Sequence, residues 1–504
     1  MKRSVHHEHV QPTERKTPDA NHLSAVSSPC ERPVDRRTFL GTSLALGAAA
    51  SSLSAASWMR VRGANERITL GVIGCGPQGI FHIRNFYRRR ERDNVELTRA
   101  CDVYTRRLNR AAKALPGGET AATMEYRELL DDGDLDSVVI ATPDHWHSKI
   151  AIEALDAGKA VFLETPFTHT IRQALALRDA VRRTKGLLAV GARRCSDPRY
   201  RMLHEAILMN RIGEVKWSQG SFCLNSRMPI FNRPIDGNVS DRPKEEGYIW
   251  WERWLGTDYG LAPKAKFTPD RFFRYQKYYD YGGGIAAEYL FHILTPLLLA
   301  ISGEQGEIPS RAVCGGGQYT FFDQREVPDQ IMAVLDFPSE HTITLSGSGT
   351  TDSGPETIVR SQVATVTFPK DALHFEEQDA YYPEFRHGNK DLVDATMVQN
   401  ARGQWIPVPP MGDAAFDMPK GTTRDHNGNF LDAIRGQAKP ACNAELGCAS
   451  MIGIAMIVEA YRQMKVIQWD HATESLRDES ATKKTDADEA TAPTANASDD
   501  APTD

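Results

Sequence analysis

The sequence has no paired-cysteine motif and no excess of basic residues. Its eight cysteines are scattered without a C-x-x-C pair, which argues against a zinc site and against a disulfide framework, and we predict no metal. Lysine and arginine number 60 against 66 acidic residues, and no basic face is evident, so nothing indicates nucleic-acid binding. At 504 residues the chain exceeds the ~250–300 residues that one core supports, so we expect at least two domains.

The first 64 residues lack the pattern of a folded domain. A polar segment ends in Arg36-Arg37-Thr38-Phe39-Leu40, and a run rich in Ala, Ser and Gly follows from Thr42 to Met59. This order is typical of a signal peptide, and the paired arginines resemble a twin-arginine export signal. We therefore predict a signal and linker over residues 1–64, export to the periplasm, and no membrane span in the mature form. An uncleaved, anchoring signal is the alternative, although such a run spans a bilayer poorly.

The other end of the chain is short of apolar residues. From about His471 to Asp504 it consists mostly of Ala, Thr, Ser, Asp and Glu. Such a segment cannot bury enough apolar surface to offset the entropy of ordering. We predict a disordered acidic tail over residues 471–504.

A glycine-rich turn organises what lies between. The apolar run Ile68–Ile73, too short for a helix, leads into glycines spaced G-x-G-x-x-G, and Ile80–Tyr87 then has a helical pattern. The three glycines permit a tight turn, close approach of a pyrophosphate, and close packing of helix on strand. The helix N-terminus attracts the phosphates. The turn residues predicted to bind a dinucleotide are Gly74, Gly76, Pro77, Gln78 and Gly79.

An acidic residue follows the second predicted strand. Val95–Cys101 ends in Asp102, close to the ~20-residue spacing that the dinucleotide motif requires. Its carboxylate would accept hydrogen bonds from the ribose hydroxyls and repel a 2′-phosphate, so NAD is predicted rather than NADP. Arg106 and Arg107 are near enough to weaken that preference.

Strands and helices alternate from Arg67 onward, which predicts a parallel sheet covered on both faces and an NAD-binding Rossmann domain over residues 65–190. In such sheets the ligand lies beyond the carboxyl ends of the strands, so the strand tips should meet at one crevice. The further tip residues predicted to bind the cofactor are Thr142, Pro143, His145, His147, Glu164 and Pro166. The two histidines could instead bind a metal, but no third ligand is evident.

We predict a second domain over residues 191–470. Four segments have a strand pattern, and Gly447–Met464 has the pattern of a long helix. The predicted strands are Val215–Leu224, Gln330–Phe337, Thr342–Ser346 and Ile358–Phe368. Between Pro369 and Gly421 the pattern is irregular, and we interpret it as loops.

Four motifs, in order, resemble the Gfo/Idh/MocA oxidoreductases, the family of glucose–fructose oxidoreductase and inositol dehydrogenase. They are Ala-Thr-Pro-Asp-His-Trp-His from Ala141, Ala-Gly-Lys-Ala-Val-Phe-Leu-Glu-Thr-Pro from Ala157, Tyr281-Gly-Gly-Gly with Glu288 and His292, and Asp425–Ile434. The resemblance implies an α/β protein with an N-terminal Rossmann domain and a C-terminal α/β domain on an open, mostly antiparallel sheet. Because that sheet often forms the oligomer interface in the family, we expect a homo-oligomer.

The chain departs from the family at the residues that carry chemistry. The family's Glu-Lys-Pro, whose lysine helps to move the hydroxyl proton, is Glu164-Thr165-Pro166 here. Threonine cannot act as a cation. The family's Asp, His and Asp of the later helix correspond to Glu288, His292 and Thr295. In a third segment Arg193 replaces an amide and Cys195 replaces an arginine.

The catalytic residues that this comparison implies are His292, Glu288 and Thr165. Glu288 and His292 are four residues apart, on one helix face, as a base and its orienting carboxylate would be. Imidazole is the natural base near neutral pH. A pair packed under the sheet is the alternative.

Two aromatic segments are open to two interpretations. Trp250, Trp251 and Trp254 could stack on a sugar or form core or interface. The run Arg271–Tyr279 could border the substrate pocket or wrap a partner subunit.

Three functions remain open on the sequence. The first is an exported NAD-dependent oxidoreductase acting on a hydroxyl of a sugar, polyol or glycoside, so that a small carbohydrate is the expected partner. The second is a glycoside hydrolase or lyase with transient redox, because a glycosidase branch resembling the family also lacks the lysine replaced here by Thr165. The third is a non-catalytic binding protein.

Overall fold

The computed structural model describes residues 67–370, 372–393, 397–399, 405–407, 412–417 and 425–477. The predicted signal and linker, residues 1–64, lie outside these ranges, and so does the acidic tail after Arg477.

The first six strands form one parallel sheet in the order β3-β2-β1-β4-β5-β6. Helices cover both faces, as the alternating pattern predicts. The strands are β1 (Ile68–Ile73), β2 (Val95–Cys101), β3 (Ala122–Thr123), β4 (Ser137–Ile140), β5 (Ala160–Leu163) and β6 (Leu188–Val190). The helices are α1 (Pro77–Arg89), α2 (Thr105–Ala112), α3 (Arg127–Leu130), α4 (Asp144–Asp156) and α5 (Ile171–Thr184).

Helix α4 begins earlier than the sequence pattern suggests. The apolar period predicts a start at Lys149, but the helix starts at Asp144, directly after Pro143. His145, Trp146 and His147 are buried helical residues, so they break the amphipathic pattern that marks an exposed helix. The predicted strand tip therefore extends only to Pro143.

The C-terminal part is built on ten strands in the order β16-β13-β12-β11-β7-β10-β9-β8-β17-β18. These are β7 (Val215–Cys223), β8 (Arg311–Gly317), β9 (Gln330–Asp336), β10 (Thr342–Ser348), β11 (Ile358–Ser361), β12 (Ala364–Thr367), β13 (Ala372–Glu377), β16 (Gly412–Asp417), β17 (Ile467–Asp470) and β18 (Ser475–Leu476). Two more, β14 (Met397–Gln399) and β15 (Trp405–Pro407), pair separately. Only β7 and β10 pair in parallel among the ten, so the expected mixed, mostly antiparallel sheet is confirmed.

Two long helices cover one face of this sheet. They are α9 (Phe291–Ser302), which follows a π-helical turn at Ala286–Leu290, and α13 (Ala444–Gln463). Their apolar side chains share one core with Ile331, Leu335 and Ile343 of the strands. The remaining helices are α6 (Pro198–Leu208), α7 (Trp251–Leu255), α8 (Pro269–Phe273), α10 (Tyr382–Gly388), α11 (Lys390–Val393) and α12 (His426–Ile434).

Two sequence interpretations of this region are wrong. Ile358–Phe368 is not one strand but the hairpin β11–β12, and the segment after Pro369 is not only loops, because β13 and α10 lie in it. These elements are short. A strand of four to six residues alternates too few times to be separated from a polar loop by pattern alone.

The second half of the chain also completes the first domain. Phe430, Leu431 and Ile434 of α12 pack into the core beneath β1 and β2. Asp425 accepts a hydrogen bond from the Gly428 N–H at 3.0 Å and caps this helix. The boundary near residue 190 therefore separates the two sheets but not every element that packs on them.

The last described residues are ordered as a hairpin. Strands β17 and β18 pair, and Glu474 in their turn forms a two-bond ion pair with Arg178 of α5. The fold thus continues about seven residues past the predicted start of the acidic tail.

Within the described ranges, two helical stretches are long and apolar enough to cross a membrane, Ala286–Gln305 and Ala444–Gln463. The protein itself buries 72% and 78% of them, so both serve as core helices. The seven cysteines among the described residues are free thiols.

Candidate active site

A cavity of about 650 Å³ lies at the carboxyl ends of β1, β2, β4, β5 and β6, and the C-terminal part closes it on the other side. Of the predicted site residues, eleven line it: Gly74, Gly76, Pro77, Gln78, Asp102, Thr142, Pro143, Glu164, Thr165, Glu288 and His292. The strand tips therefore meet at one crevice, as the parallel sheet requires.

The glycine turn has the geometry that a dinucleotide needs. Gly74 has a φ of 90°, and a Cβ at Gly79 would lie 1.8 Å from the Gly74 carbonyl oxygen, so strand and helix approach as closely as backbone allows. Gly76 differs, because a Cβ there would meet nothing closer than Arg107 at 3.5 Å and would extend into the cavity. No side chain caps the N-terminus of α1, so its N–H groups are available to a phosphate.

Asp102 closes the turn from the next strand. Its carboxylate accepts hydrogen bonds from the N–H groups of Cys75 at 2.6 Å and Tyr104 at 2.8 Å. Burial raises the pKa of this carboxyl, while Arg107 and the two N–H donors oppose that effect. Each oxygen keeps a further lone pair for a ribose hydroxyl.

Thr142 adds a second feature that fits a cofactor. Its buried hydroxyl lines the cavity and has no hydrogen-bond partner in the described structure. A buried polar group of this kind is expected to find a partner, here a bound ligand. Together with the glycine turn and Asp102, it makes the residues present suitable for NAD.

Arg106 and Arg107, which follow Asp102 in the sequence, make different contacts. Arg106 turns away and donates to the carbonyl of Gly237 at 2.7 Å. Arg107 lines the cavity, with its guanidinium 4.9 Å from the centroid of Phe272 and 5.3 Å from that of Phe273. Arg107 alone is placed to act on the preference between NAD and NADP.

Four predicted cofactor residues lie behind the cavity wall instead of lining it: Gly79, His145, His147 and Pro166. His147 Nδ1 lies 2.8 Å from the carbonyl oxygen of Pro166 and Nε2 lies 3.0 Å from that of Thr142, so the ring lies between the tips of β4 and β5 and its single N–H donates to one of the two. His145 is bonded to the carbonyl of Trp254 at 3.0 Å, and burial lowers its pKa to about 3. The prediction that these histidines line the cofactor pocket is wrong, because helix α4 turns both inward.

Glu164 is held by the first domain. Its carboxylate accepts from Gln78 at 2.7 Å and contacts His82 at 2.5 Å, and the amide of Asn427 lies 3.2 Å from the other nitrogen of His82. Burial alone would raise the pKa of Glu164, but the hydrogen bonds from His82 and Gln78 lower it to about 2. Glu164 therefore stays ionised beside the reacting end.

Thr165 and His292 meet in the cavity. The Thr165 hydroxyl and His292 Nε2 are joined by a hydrogen bond of 3.0 Å. Burial lowers the pKa of His292 to about 4, with Arg194 and Arg193 adding to the effect and Glu164 opposing it. The imidazole is therefore neutral near pH 7 and able to accept a proton.

Glu288 does not orient His292. Gln276 donates a short hydrogen bond to Glu288 Oε2. Glu288 Oε1 faces the buried Asp144 Oδ2, and neither Glu288 Oε1 nor Asp144 Oδ2 has a conventional hydrogen-bond partner in the described structure. A Cβ at Gly282 would lie 3.0 Å from that Asp144 oxygen and 3.7 Å from Glu288 Oε1. Burial, followed by the charge of Glu288, raises the pKa of Asp144 well above its usual value. Two buried carboxyls in contact favour the sharing of one proton, because both cannot ionise without repulsion.

Helical spacing could not reveal this arrangement. It places Glu288 and His292 on one face, but their partners come from the start of α4, the turn at Tyr275–Lys277 and the tip of β5. The predicted pairing of Glu288 with His292 is replaced by two separate pairs.

Sequence reasoning missed several lining residues, among them Arg194, Arg233, Phe222 and Tyr289. The rings of Phe222 and Tyr289 stack with centroids 4.1 Å apart. Tyr275 and Gln276, from the run Arg271–Tyr279, do border the cavity. Arg194 and Tyr289 directly follow the motif residues Arg193 and Glu288, and that position is the signal that could have found them, whereas no motif marks Phe222 or Arg233.

The tryptophan cluster is core. Trp251 and Trp254 are buried and stack with centroids 4.7 Å apart, although the edge of Trp254 reaches the cavity. Among the described residues, no group of three or more His, Cys, Asp or Glu side chains is arranged to hold a metal ion.

Comparison with known proteins agrees with this geometry. Residues 68–192 match the sequence profile of the Gfo/Idh/MocA family, described as an oxidoreductase family with an NAD-binding Rossmann fold. They form a Gfo/Idh/MocA-type NAD-binding domain. Known structures show the same fold over 80% of the chain, including an NAD-binding protein from Listeria innocua (TM-score 0.53, 19% identity, 99% of that chain). Another is the WlbA dehydrogenase of Bordetella pertussis, in complex with NADH and UDP-GlcNAcA (TM-score 0.52, 17% identity, 99% of that chain).

The curated relatives are similar over part of their length. An alpha-N-acetylgalactosaminidase of Shewanella oneidensis is 32% identical over 127 residues, which is 24% of this chain and 27% of that protein. The match therefore spans about a quarter of such relatives.

Proposed function

We propose that the protein is an NAD-dependent oxidoreductase that acts on a hydroxyl of a sugar, polyol or glycoside. The observation that carries the proposal is the Thr165–His292 hydrogen bond of 3.0 Å, which lies in the same cavity as the glycine turn. When bound, NAD supplies the hydride acceptor for oxidation of the carbon that bears the hydroxyl.

The chain's own residues can handle the proton. The Thr165 hydroxyl can accept the substrate O–H proton while it passes its own proton to neutral His292 Nε2. Threonine thus replaces the charge of the family's lysine with a relay. The ionised Glu164 nearby favours the imidazolium that results, since it raises the pKa of His292.

A glycosidase function has specific support as a second candidate. Thr165 stands where a cation is usual in the family, and the curated relatives carry glycosidase names. In that chemistry the hydroxyl would be oxidised only transiently: the acidified neighbouring C–H would lose its proton as the glycosidic bond is eliminated, water would add to the resulting double bond, and the hydride would return to the ketone, so that NAD is not consumed. The proton shared by Asp144 and Glu288 would then be available to the leaving group.

Incubation of the purified protein with NAD and matched sugars and glycosides separates the candidates. Net formation of NADH with a free sugar or polyol supports the oxidoreductase. Release of the aglycone without net NADH supports the glycosidase. Neither outcome across neutral, amino and acidic sugars, with NAD binding intact, would support a non-catalytic protein.

We also propose export through the twin-arginine signal, which rests on Arg36, Arg37 and the apolar run after them. Changing both arginines to lysine is expected to retain the protein in the cytoplasm, and cell fractionation would detect this. Periplasmic recovery of the double variant at the normal level would contradict the assignment.

We further propose a homo-oligomer that pairs through the open face of the ten-stranded sheet. Four apolar side chains are exposed on that face: Trp217, Val313, Met332 and Val334. Cross-strand pairing places Val313 and Val334 side by side. Met332→Glu is expected to shift the protein to a smaller species in analytical ultracentrifugation, whereas Leu208→Glu, at an exposed site on α6, is expected to leave the mass unchanged.

A further inference from the structure

Three arginines surround the end of the cavity where Thr165 and His292 meet. Arg193 and Arg194 follow β6, and Arg233 comes from the segment between β7 and α7. None forms an ion pair with a carboxylate among the described residues. Arg193 instead lies over the exposed ring of Phe81, with its guanidinium 4.3 Å from the ring centroid.

The other two arginines of the cavity are already engaged. Arg107 packs against Phe272 and Phe273, and Arg253 is paired with Glu125. Among the cavity arginines, Arg194 and Arg233 are therefore the two without an ion pair or an aromatic contact to a described residue.

The carboxylates at this end are bound by groups other than these arginines. Gln78 and His82 bind Glu164, and Gln276 donates to Glu288. The charge of Arg193 acts on Glu164 and that of Arg233 on Glu288, but neither arginine is within ion-pair distance of a described carboxylate. The three guanidinium groups therefore keep unused N–H donors.

The pyrophosphate of NAD does not account for Arg194 and Arg233. It is expected at the start of α1, which Arg193 approaches through Phe81. Arg194 follows β6, which is three places from β1 in the sheet, or ~14 Å at ~4.8 Å per strand, and Arg233 follows β7. Arg194 and Arg233 therefore face the proposed substrate side of the cavity.

We propose that the substrate is an anionic carbohydrate, with a carboxylate or phosphate group that Arg193, Arg194 and Arg233 bind. A guanidinium group presents parallel N–H donors that match either group in a two-bond arrangement. This inference rests on the proposed function, because it names the class of sugar that enters the same site.

Binding, measured without turnover, tests the charge requirement. Isothermal titration of the NADH-loaded protein would compare D-glucuronate and D-galacturonate with their uncharged methyl esters, and D-glucose and D-galactose with their 6-phosphates. At least one anion is expected to bind about tenfold or more tightly than its neutral partner, with the difference reduced by added salt. Tighter binding of the uronates points to a carboxylate, and tighter binding of the phosphates to a phosphate.

Variants connect that difference to the arginines. Arg194→Gln and Arg233→Gln are each expected to weaken the anion about tenfold or more and the neutral partner little, while Arg194→Lys retains part of the preference. Arg88→Gln, at an exposed arginine of α1 outside the cavity, is the control. Equal melting temperatures would show that all variants fold.

If no anion in the panel binds more tightly than its neutral partner, the proposal is overturned. The same follows if the preference survives in both glutamine variants. A protein that reduces NAD with neutral sugars and shows no charge preference keeps the oxidoreductase function and loses this inference. One that binds anions without reducing NAD keeps this inference and loses the oxidoreductase function.

Discussion

The cofactor end of the cavity and the opposite end, the proposed substrate end, are built by different means. At the cofactor end, backbone does most of the binding: Gly74, Gly76 and Gly79 shape the turn, and α1 presents its free N–H groups. At the substrate end, side chains from both parts of the fold act in pairs, Thr165 with His292 and Asp144 with Glu288.

This difference explains which end keeps the family pattern. A backbone cradle tolerates little change, because a single Cβ at Gly79 would collide with the Gly74 carbonyl. Side-chain chemistry can change one residue at a time, as Thr165 in place of lysine shows. The chain carries the dinucleotide turn, and it departs from the family pattern at the proposed substrate end.

The two glycines of the turn are expected to separate folding from binding. Gly79→Ala places a Cβ 1.8 Å from a backbone oxygen and should prevent folding of the first domain. Gly76→Val has space within the fold but fills the path of the pyrophosphate, so the protein should fold and lose NAD. Circular dichroism and fluorescence titration with NADH measure the two effects. Tight NADH binding by Gly76→Val would show that the turn is not the phosphate site.

Removal of the proton acceptor should have the largest effect at the substrate end. His292→Ala is expected to lower kcat by about 10²–10⁴-fold, the usual contribution of a positioned base. Thr165→Val, which keeps the shape and removes the relay hydroxyl, should lower kcat by a smaller factor with KM nearly unchanged.

Thr165→Lys separates the oxidoreductase from the glycosidase, because it restores the lysine that the family has at this position. It should raise polyol oxidation if the enzyme is an oxidoreductase and impair turnover if it is a glycosidase. Full activity of both His292→Ala and Thr165→Val on every substrate would contradict either mechanism.

Substitution of Asp102 tests whether its charge sets the preference for NAD over NADP at the cofactor end. Asp102→Ala removes the carboxylate that would repel a 2′-phosphate, so the preference for NAD over NADP should fall about tenfold, ~1.4 kcal/mol. It also leaves the N–H groups of Cys75 and Tyr104 without their acceptor, and a lower melting temperature should accompany the change. Arg107→Ala is the matched variant and should shift the preference the other way.

The shared proton predicts the smallest effect, on stability. The pKa of Asp144 is raised in the folded protein, so above its usual value of about 3.8 the folded state holds a proton that the unfolded chain has released. This contribution to stability therefore decreases as pH rises from about 3.8 towards the raised pKa. Asp144→Asn, which keeps a donor facing Glu288, should flatten the dependence of melting temperature on pH, and an unchanged slope would mean that no proton is shared.

The structural features that could be predicted from the sequence depend on short segments of it. Alternation of strand and helix predicted the parallel sheet, and the predicted strand Val95–Cys101 begins and ends as β2 does. It missed β3, which has only two residues, and the early start of α4, whose first turn is buried. The hydrophobic periodicity of a helix or strand indicates which of its faces is apolar, and an element that is buried on all sides has no single apolar face.

Only the tertiary structure decided which side chains meet. The sequence by itself determined the glycine turn, the acid after β2, and the departures at Thr165, Glu288 and Arg193, because these depend on residue type and short spacing. The fold then assigned Thr165 to His292 across 127 positions and turned His145 and His147 away from the cavity. Such pairings depend on how two sheets and their helices pack, and packing is set by the whole chain and not by any one segment.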